Sequence, residues 1–151
     1  MAFEYEDVVL YWINRLSFLA RKQLQQKFAE NGEKLGAEEW AVLMLLWKKD
    51  GRLPSELADS TIRDRTTMTR LVDGMCKKQL VVRRSDPEDG RRVVVYLTER
   101  GRKSKIELIP IARELIANST ANIDENDLDV AMQVLRKMAA NLLDTDIEDR
   151  Q

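Results

Sequence analysis

The apolar spacing of this chain changes character near residue 80, and that change limits what it can build. Up to Gln79 the apolar residues recur every three or four positions, the spacing of helices with one buried face. Leu80-Val81-Val82-Arg83-Arg84-Ser85 and Arg92-Val93-Val94-Val95-Tyr96-Leu97 instead read as β-strands of period two. Between them stands Asp86-Pro87-Glu88-Asp89-Gly90-Arg91, with proline and glycine placed for turns. The expectation is a β-hairpin with a charged tip and arginines on both sides. Helical spacing returns after Thr98, so the fold class is mainly α with one small hairpin.

Four helices precede the hairpin. The first, about Glu6 to Asn31, carries Val9, Trp12, Ile13, Leu16, Leu19, Ala20, Leu24 and Phe28 at helical spacing and stops at Asn31-Gly32. It is longer than one small core requires, and a second chain could bury the surplus. The second, Ala37 to Lys49, has Trp40, Leu43, Met44 and Trp47 as its stripe, Gly36 as N-cap and lysines at its negative end. Pro54 opens a short third helix. Asp64 caps the fourth, Arg65 to about Gln79, which has Met68, Leu71, Val72, Met75 and Cys76 on one face. Its other face is polar: Arg65, Thr66, Thr67, Thr69, Arg70 and Asp73. Thr98 caps a fifth helix to about Asn118, in which Pro110 is expected to kink the axis or interrupt one hydrogen bond. Asp124 caps a sixth, and the polar residues Asp144 to Gln151 are expected to fray.

The formal net charge of −1 hides an uneven distribution. Between Lys48 and Lys105 lie 16 Lys and Arg against 9 Asp and Glu, net +7; the remainder carries 9 against 17, net −8. DNA contact needs a local basic surface and no basic total, and the middle of this sequence is basic between two acidic ends. Histidine is absent, which removes the commonest general base and imidazole metal ligands. Glu38 and Glu39 are neighbours in sequence only, since adjacent helical residues do not face each other. No catalytic set, cofactor loop or metal cluster is legible, so an enzyme is not expected. Cys76 is the one cysteine, either a small buried thiol or a redox-sensitive one, and no intrachain disulfide can form. No apolar run approaches the length of a membrane span, and the acidic start lacks the features of a secretory leader. A cytoplasmic, nucleoid-associated protein with no membrane partner is expected.

Two short helices joined by a tight turn and followed by a basic-tipped hairpin describe a winged helix-turn-helix. The major groove admits one α-helix, whose N-terminal residues meet base edges. In the fourth helix Arg65 and Arg70 can fork onto guanine or phosphate. Thr66, Thr67 and Thr69 can bond phosphate or touch a thymine methyl, or can form an ordinary solvated face. On the wing, Arg91, with Arg92 beside it, can reach a narrow minor groove. Asp89 either orients the Arg91 guanidinium through a charge-assisted bond or forms a solvated surface pair with it. Arg63, Lys77, Lys78, Arg83 and Arg84 are the candidate phosphate contacts.

In these residues the sequence resembles the MarR family of bacterial regulators. The carrying stretches are Leu57-Ala58, Asp64-Arg65-Thr66-Thr67-Met68-Thr69-Arg70-Leu71-Val72-Asp73, Leu80-Val81, Asp86-Pro87-Glu88-Asp89-Gly90-Arg91-Arg92-Val93 and Tyr96-Leu97-Thr98-Glu99-Arg100-Gly101. The resemblance implies a homodimer formed by the first, fifth and sixth helices, a recognition helix at Arg65, and an Arg91 that enters the minor groove with support from Asp89. It also implies a small aromatic or phenolic effector, bound between the dimer helices and the DNA-binding lobe, that lowers DNA affinity. Residues 1–151 then form one domain, with the winged lobe at 36–100 and dimerisation helices at 5–31 and 101–144. Trp12, Arg15, Met44 and Trp47 are the pocket candidates, with core packing the other reading for the tryptophans and Met44. Where many members have a glycine and a serine around the helix-turn-helix turn, Ile62 and Asp64 stand here. Ile62 is expected to face the core. Without a cysteine in the first helix, or any histidine, the family's peroxide- and zinc-sensing types are not expected.

The function expected is a sequence-specific double-stranded DNA-binding transcription regulator, acting as a repressor on a pseudo-palindromic operator. The alternative is a winged-helix protein-interaction module that does not bind DNA.

Overall fold

The computed structural model describes residues 2–148, with side chains as far as residue 143. The chain divides into two compact units, Met1–Leu115 and Ile116–Gln151.

In the first unit a 3₁₀ turn at Tyr5–Asp7 leads into α1 (Val9–Glu30), followed by α2 (Ala37–Lys48), α3 (Pro54–Thr61) and α4 (Arg65–Lys77). The strands β1 (Val81–Ser85) and β2 (Val93–Leu97) come next, and α5 (Glu99–Ser119) begins. Local chemistry sets each boundary. Asn31 returns its side-chain amide to the Lys27 carbonyl at 2.9 Å, and Gly32 takes a left-handed φ of 84° that ends α1. Glu39 Oε1 accepts the Gly36 N–H at 3.1 Å, fixing the start of α2. α3 opens on Pro54 and closes in a Schellman motif, with Arg63 N–H donating to the Ala58 carbonyl at 2.9 Å and Ile62 N–H to that of Asp59 at 3.3 Å.

The core gathers Val42, Leu43 and Leu46 of α2, Leu57 and Ala58 of α3, and Met68, Val72 and Met75 of α4. Leu80, Val81, Val95 and Leu97 close it from the hairpin side, and Phe28 and Leu108 from the flanking helices. Each such aliphatic side chain contributes roughly 1.5–3 kcal/mol of burial. Because Met68, Val72 and Met75 occupy one face, the opposite face of α4 must point outward.

The strands pair antiparallel from Val81↔Leu97 to Ser85↔Val93. A third short segment joins them: Arg52 N–H donates to the Val95 carbonyl at 3.0 Å, and Val95 N–H to that of Arg52 at 2.8 Å. The root of the two-stranded hairpin thus carries an isolated β-bridge to Arg52, a contact that the apolar pattern does not indicate.

Thr98 caps α5 by accepting the Gly101 N–H at 3.0 Å while donating to the Gln79 carbonyl at 2.5 Å. Gly101 is where α5 crosses the chain leaving α4. A Cβ there would lie 2.1 Å from the Leu80 carbonyl oxygen. Trp47 Nε1 donates to the Gly101 carbonyl at 2.9 Å, tying α2 to the same crossing. α5 runs through Pro110 as one continuous helix.

In the second unit, Thr120 Oγ1 donates to the Ile116 carbonyl at 3.0 Å and Asp124 accepts the Asn126 N–H at 2.8 Å, ending α5 and starting α6 (Glu125–Glu148). Of the polar stretch expected to fray, residues through Glu148 are helical, and 149–151 lie outside the described residues. Among the described residues no helix is long and apolar enough to cross a membrane.

Candidate nucleic-acid interface

The start of α4 is built by Asp64. Its Oδ1 accepts the Thr67 N–H at 2.7 Å and its Oδ2 accepts the Thr67 hydroxyl at 2.8 Å. The backbone bond from Thr67, and then its hydroxyl, hold the Asp64 carboxyl below its ordinary value of 3.8. Beyond this cap Arg65, Thr66, Thr69 and Arg70 are exposed on the face opposite the core. Among the described residues no ion pair engages Arg65 or Arg70. Thr69 Oγ1 donates to the Arg65 carbonyl at 2.9 Å, and the residue remains exposed. Thr67 departs from the expectation of a groove contact, because it is half-buried and its hydroxyl proton lies in the cap.

The wing tip is an ordered turn. Asp86 N–H donates to the Arg92 carbonyl at 2.9 Å and Arg92 N–H to that of Asp89 at 3.0 Å. Asp89 Oδ1 accepts the backbone N–H of Arg91 at 3.1 Å. This corrects the expected pairing of Asp89 with the Arg91 guanidinium: the carboxylate shapes the turn, and Arg91 and Arg92 extend exposed from it.

The five expected phosphate contacts divide. Lys77 and Arg84 are exposed and, among the described residues, in no ion pair. The other three are committed inside the protein. Lys78 bonds Glu39 at 2.7 and 3.0 Å and also donates to the Lys34 carbonyl, holding α4 to the start of α2. Arg83 meets Asp73 at 2.6 Å and donates to the Thr69 carbonyl at 3.2 Å, fastening β1 to α4. Arg63 meets Glu38 at 2.8 Å, and Arg21 of α1 lies 3.8 Å from the same carboxylate oxygen. Basic residues with an acidic partner on a distant element are indistinguishable, in sequence, from free ones.

Ile62 is a second correction. It is 73% exposed and takes a left-handed conformation, φ 54° and ψ 49°, as the residue that turns the chain out of α3. The Schellman closure aims its side chain away from the core it was expected to join.

Several residues that position this face have no role that their sequence neighbours reveal. Arg100 bonds Glu33 at 2.8 Å and also donates to the Lys78 carbonyl, bracing α5 against the end of α4. Asp50 accepts the Leu97 N–H at 2.8 Å, and Arg52 Nε donates to the Lys49 carbonyl at 3.0 Å. Arginine 83 also lies 3.9 Å from the Cys76 sulfur, and Cys76 is half-buried.

Beside α4 is a cleft of about 520 Å³ between α1, α2, the α3–α4 turn and α5. Ala20, Leu24, Trp40, Ala41, Met44, Leu45, Leu71 and Leu115 give it apolar walls, with Arg21, Glu38 and Arg63 at its edge. Of the four pocket candidates only Met44 lines it. Trp47 packs against Trp40 with ring centres 5.4 Å apart and is held by Gly101, in keeping with the core reading. Trp12, 53% exposed, donates to the Glu6 carbonyl at 2.8 Å, and neither it nor Arg15 reaches the cleft. On α1 the small residues Ser17 and Ala20, three apart on one helical face, line the cleft and leave room in it, a spacing that the sequence displays. Among the described residues no group of three or more His, Cys, Asp or Glu is placed to hold a metal.

Residues 35–93 match the model of the MarR family. The HTH-type transcriptional repressor YetL of Bacillus subtilis (strain 168) is 31% identical over 74% of this chain and 67% of its own. The crystal structure of a MarR family transcriptional regulator from Silicibacter pomeroyi superposes with a TM-score of 0.74 at 27% identity, covering 91% of this chain and 92% of that one. Bordetella bronchiseptica BpsR, whose DNA binding is regulated by 6-hydroxynicotinic acid, shares the fold with a TM-score of 0.81 at 22% identity, over 92% of this chain and 98% of its own.

Proposed function

Because this chain belongs to the MarR family and is a DNA-binding transcription regulator, we propose that it represses by gripping one face of a duplex as a homodimer, with α4 of each copy in a major groove and Arg91 in the flanking minor groove. The observation that carries the reading is the state of Arg65 and Arg70. Both stand exposed on a capped helix whose opposite face is fixed in the core, while Arg63, Lys78 and Arg83 nearby are all ion-paired.

Arg65 and Arg70 read bases, with Thr66 and Thr69 beside them. Lys77, Arg84 and Arg92 neutralise phosphates. The dimer is supported by exposed apolar side chains on α1, Val9, Leu16 and Leu19 among them, and separately on α6, where Val130, Val134 and Leu142 are exposed. A second copy covers these faces. Two recognition helices then meet half-sites about one helical turn, roughly 34–36 Å, apart, making the operator a rough palindrome. The setting for such a protein is the cytoplasm, at the chromosome.

The cleft is the proposed effector site. Its volume suits one small molecule. Its apolar walls fit an aromatic ring, and Arg21 and Arg63 fit a phenolate or carboxylate that takes the place of Glu38. A ligand that binds better when the lobes are misplaced for DNA lowers operator affinity by that same difference in free energy.

The test is selection of bound sequences from random duplexes, followed by shift assays on the recovered site. A palindromic site is expected, and Arg65→Ala and Arg70→Ala should each weaken binding by about 1–3 kcal/mol. If neither changes affinity, α4 is not in the groove.

A further inference from the structure

Ile62 is in the wrong place for its own conformation. The residue that closes a Schellman motif is usually glycine, because a Cβ in the left-handed region crowds the following carbonyl. A β-branched side chain makes that worse, and such an outlier persists only where its surroundings impose it. Here the surroundings are the two closing bonds, from Arg63 N–H to Ala58 and from Ile62 N–H to Asp59, which hold the backbone at φ 54°. Among the described residues none buries the side chain: it is 73% exposed and belongs to no part of the core. Strain combined with an exposed apolar group is a poor bargain for stability alone.

Position accounts for it. Ile62 lies two residues before the Asp64 cap and three before Arg65, at the end of α4 that enters the groove under the function proposed above, on which this step rests. We infer that Ile62 is an apolar DNA contact, presenting its side chain to the C–H surface of the operator strand beside the recognition helix. Two groups on DNA offer that surface, the thymine C5-methyl and the deoxyribose. Contact with either removes from water a side chain that the free protein leaves exposed. Ile62 therefore adds to affinity what it takes from folding.

The test uses the full-length protein and the duplex recovered by selection from random sequences. Ile62→Gly and Ile62→Asn both tolerate the left-handed turn better than isoleucine, so both should raise the thermal midpoint. Both should also weaken operator binding, by about tenfold for burial of most of an isoleucine. Glycine alone would loosen the turn; asparagine keeps it, so a loss confined to Ile62→Gly assigns the effect to turn flexibility and overturns the inference. Unchanged binding in both variants overturns it as well. Replacing the operator thymines by deoxyuridine separates the sources: a loss seen for the wild type and absent for Ile62→Asn marks the methyl, and equal behaviour marks the sugar. Arg65→Ala and Arg70→Ala are run alongside. If both bind normally, the groove placement fails and Ile62 falls with it; if either binds weakly while both Ile62 variants bind normally, only the Ile62 contact is refuted.

Discussion

Asp73 and Arg83 meet across the junction of α4 and β1, with Oδ1 and Nη2 2.6 Å apart. The same guanidinium donates to the Thr69 carbonyl, so one side chain joins the strand that carries the wing to the helix that carries Arg65 and Arg70. Arg84, the next residue, faces solvent. The two neighbours should therefore behave differently on DNA. Arg84→Ala should lower the slope of log affinity against log salt by about 0.9, the value of one phosphate contact. Arg83→Ala should weaken binding with the slope unchanged, and Asp73→Asn should do the same. Titrations across a salt series decide it, and a reduced slope for Arg83→Ala would return that residue to the phosphate contacts.

Gly101→Ala should be the most damaging small substitution in the lobe. The added methyl meets a backbone carbonyl, which cannot swing aside as a side chain can. Separating α5 from Leu80 also strains the bond from Trp47. A loss of about 3 kcal/mol is expected in urea unfolding, the upper end for overpacking. A loss below about 1 kcal/mol would mean that the crossing is looser than it looks.

The Asp64 cap predicts an acid-side effect of known sign. Its folded-state value is depressed by the bonds from Thr67, so its contribution is present above the ordinary value of 3.8 and fades as pH falls through the lower, folded value. Asp64→Asn keeps an acceptor for the backbone bond and removes the titration. The thermal midpoint of the wild type should drop more steeply than that of Asp64→Asn below about pH 4, while the two run parallel at neutral pH. Parallel acid limbs would show that the carboxylate is not what holds α4.

Leu16, 60% exposed on α1, sits among the residues proposed to face a second chain. Leu16→Glu should shift the protein from two chains to one in sedimentation equilibrium without lowering helical content, because the side chain is exposed and lies outside the buried core. Operator affinity should fall sharply, since two half-sites would then be engaged independently. An unchanged mass would place the dimer contact elsewhere.

Element types and most boundaries could be read from spacing and caps: Asp64, Thr98, Asp124, Pro54 and Gly36 each mark a helix start through local chemistry that sequence displays. Long-range chemistry was hidden. Arg83 and Arg84 look alike in the chain, and only folding brings Asp73 to one of them. Lys78 reads as a DNA contact in the sequence, and folding sets Glu39 opposite it. The bridge at Arg52 is one residue long and shows no period, and Asp89 lies close enough to Arg91 for a side-chain pair or a turn, which no pattern separates. Ile62 departs from expectation because apolar character usually means burial, whereas here the backbone closure decides the direction.

The backbone bridge from Arg52 to Val95 has a consequence for selectivity. A hairpin hinged only at its ends would swing to follow whatever duplex it met. Pinned at its base to the segment after α2, this one stands at a set span from the helix it flanks, like the fixed jaw of a caliper. Under the docking proposed above, sequences whose groove widths disagree with that span are disfavoured even where no side chain touches a base, so local DNA shape is gauged as well as spelled.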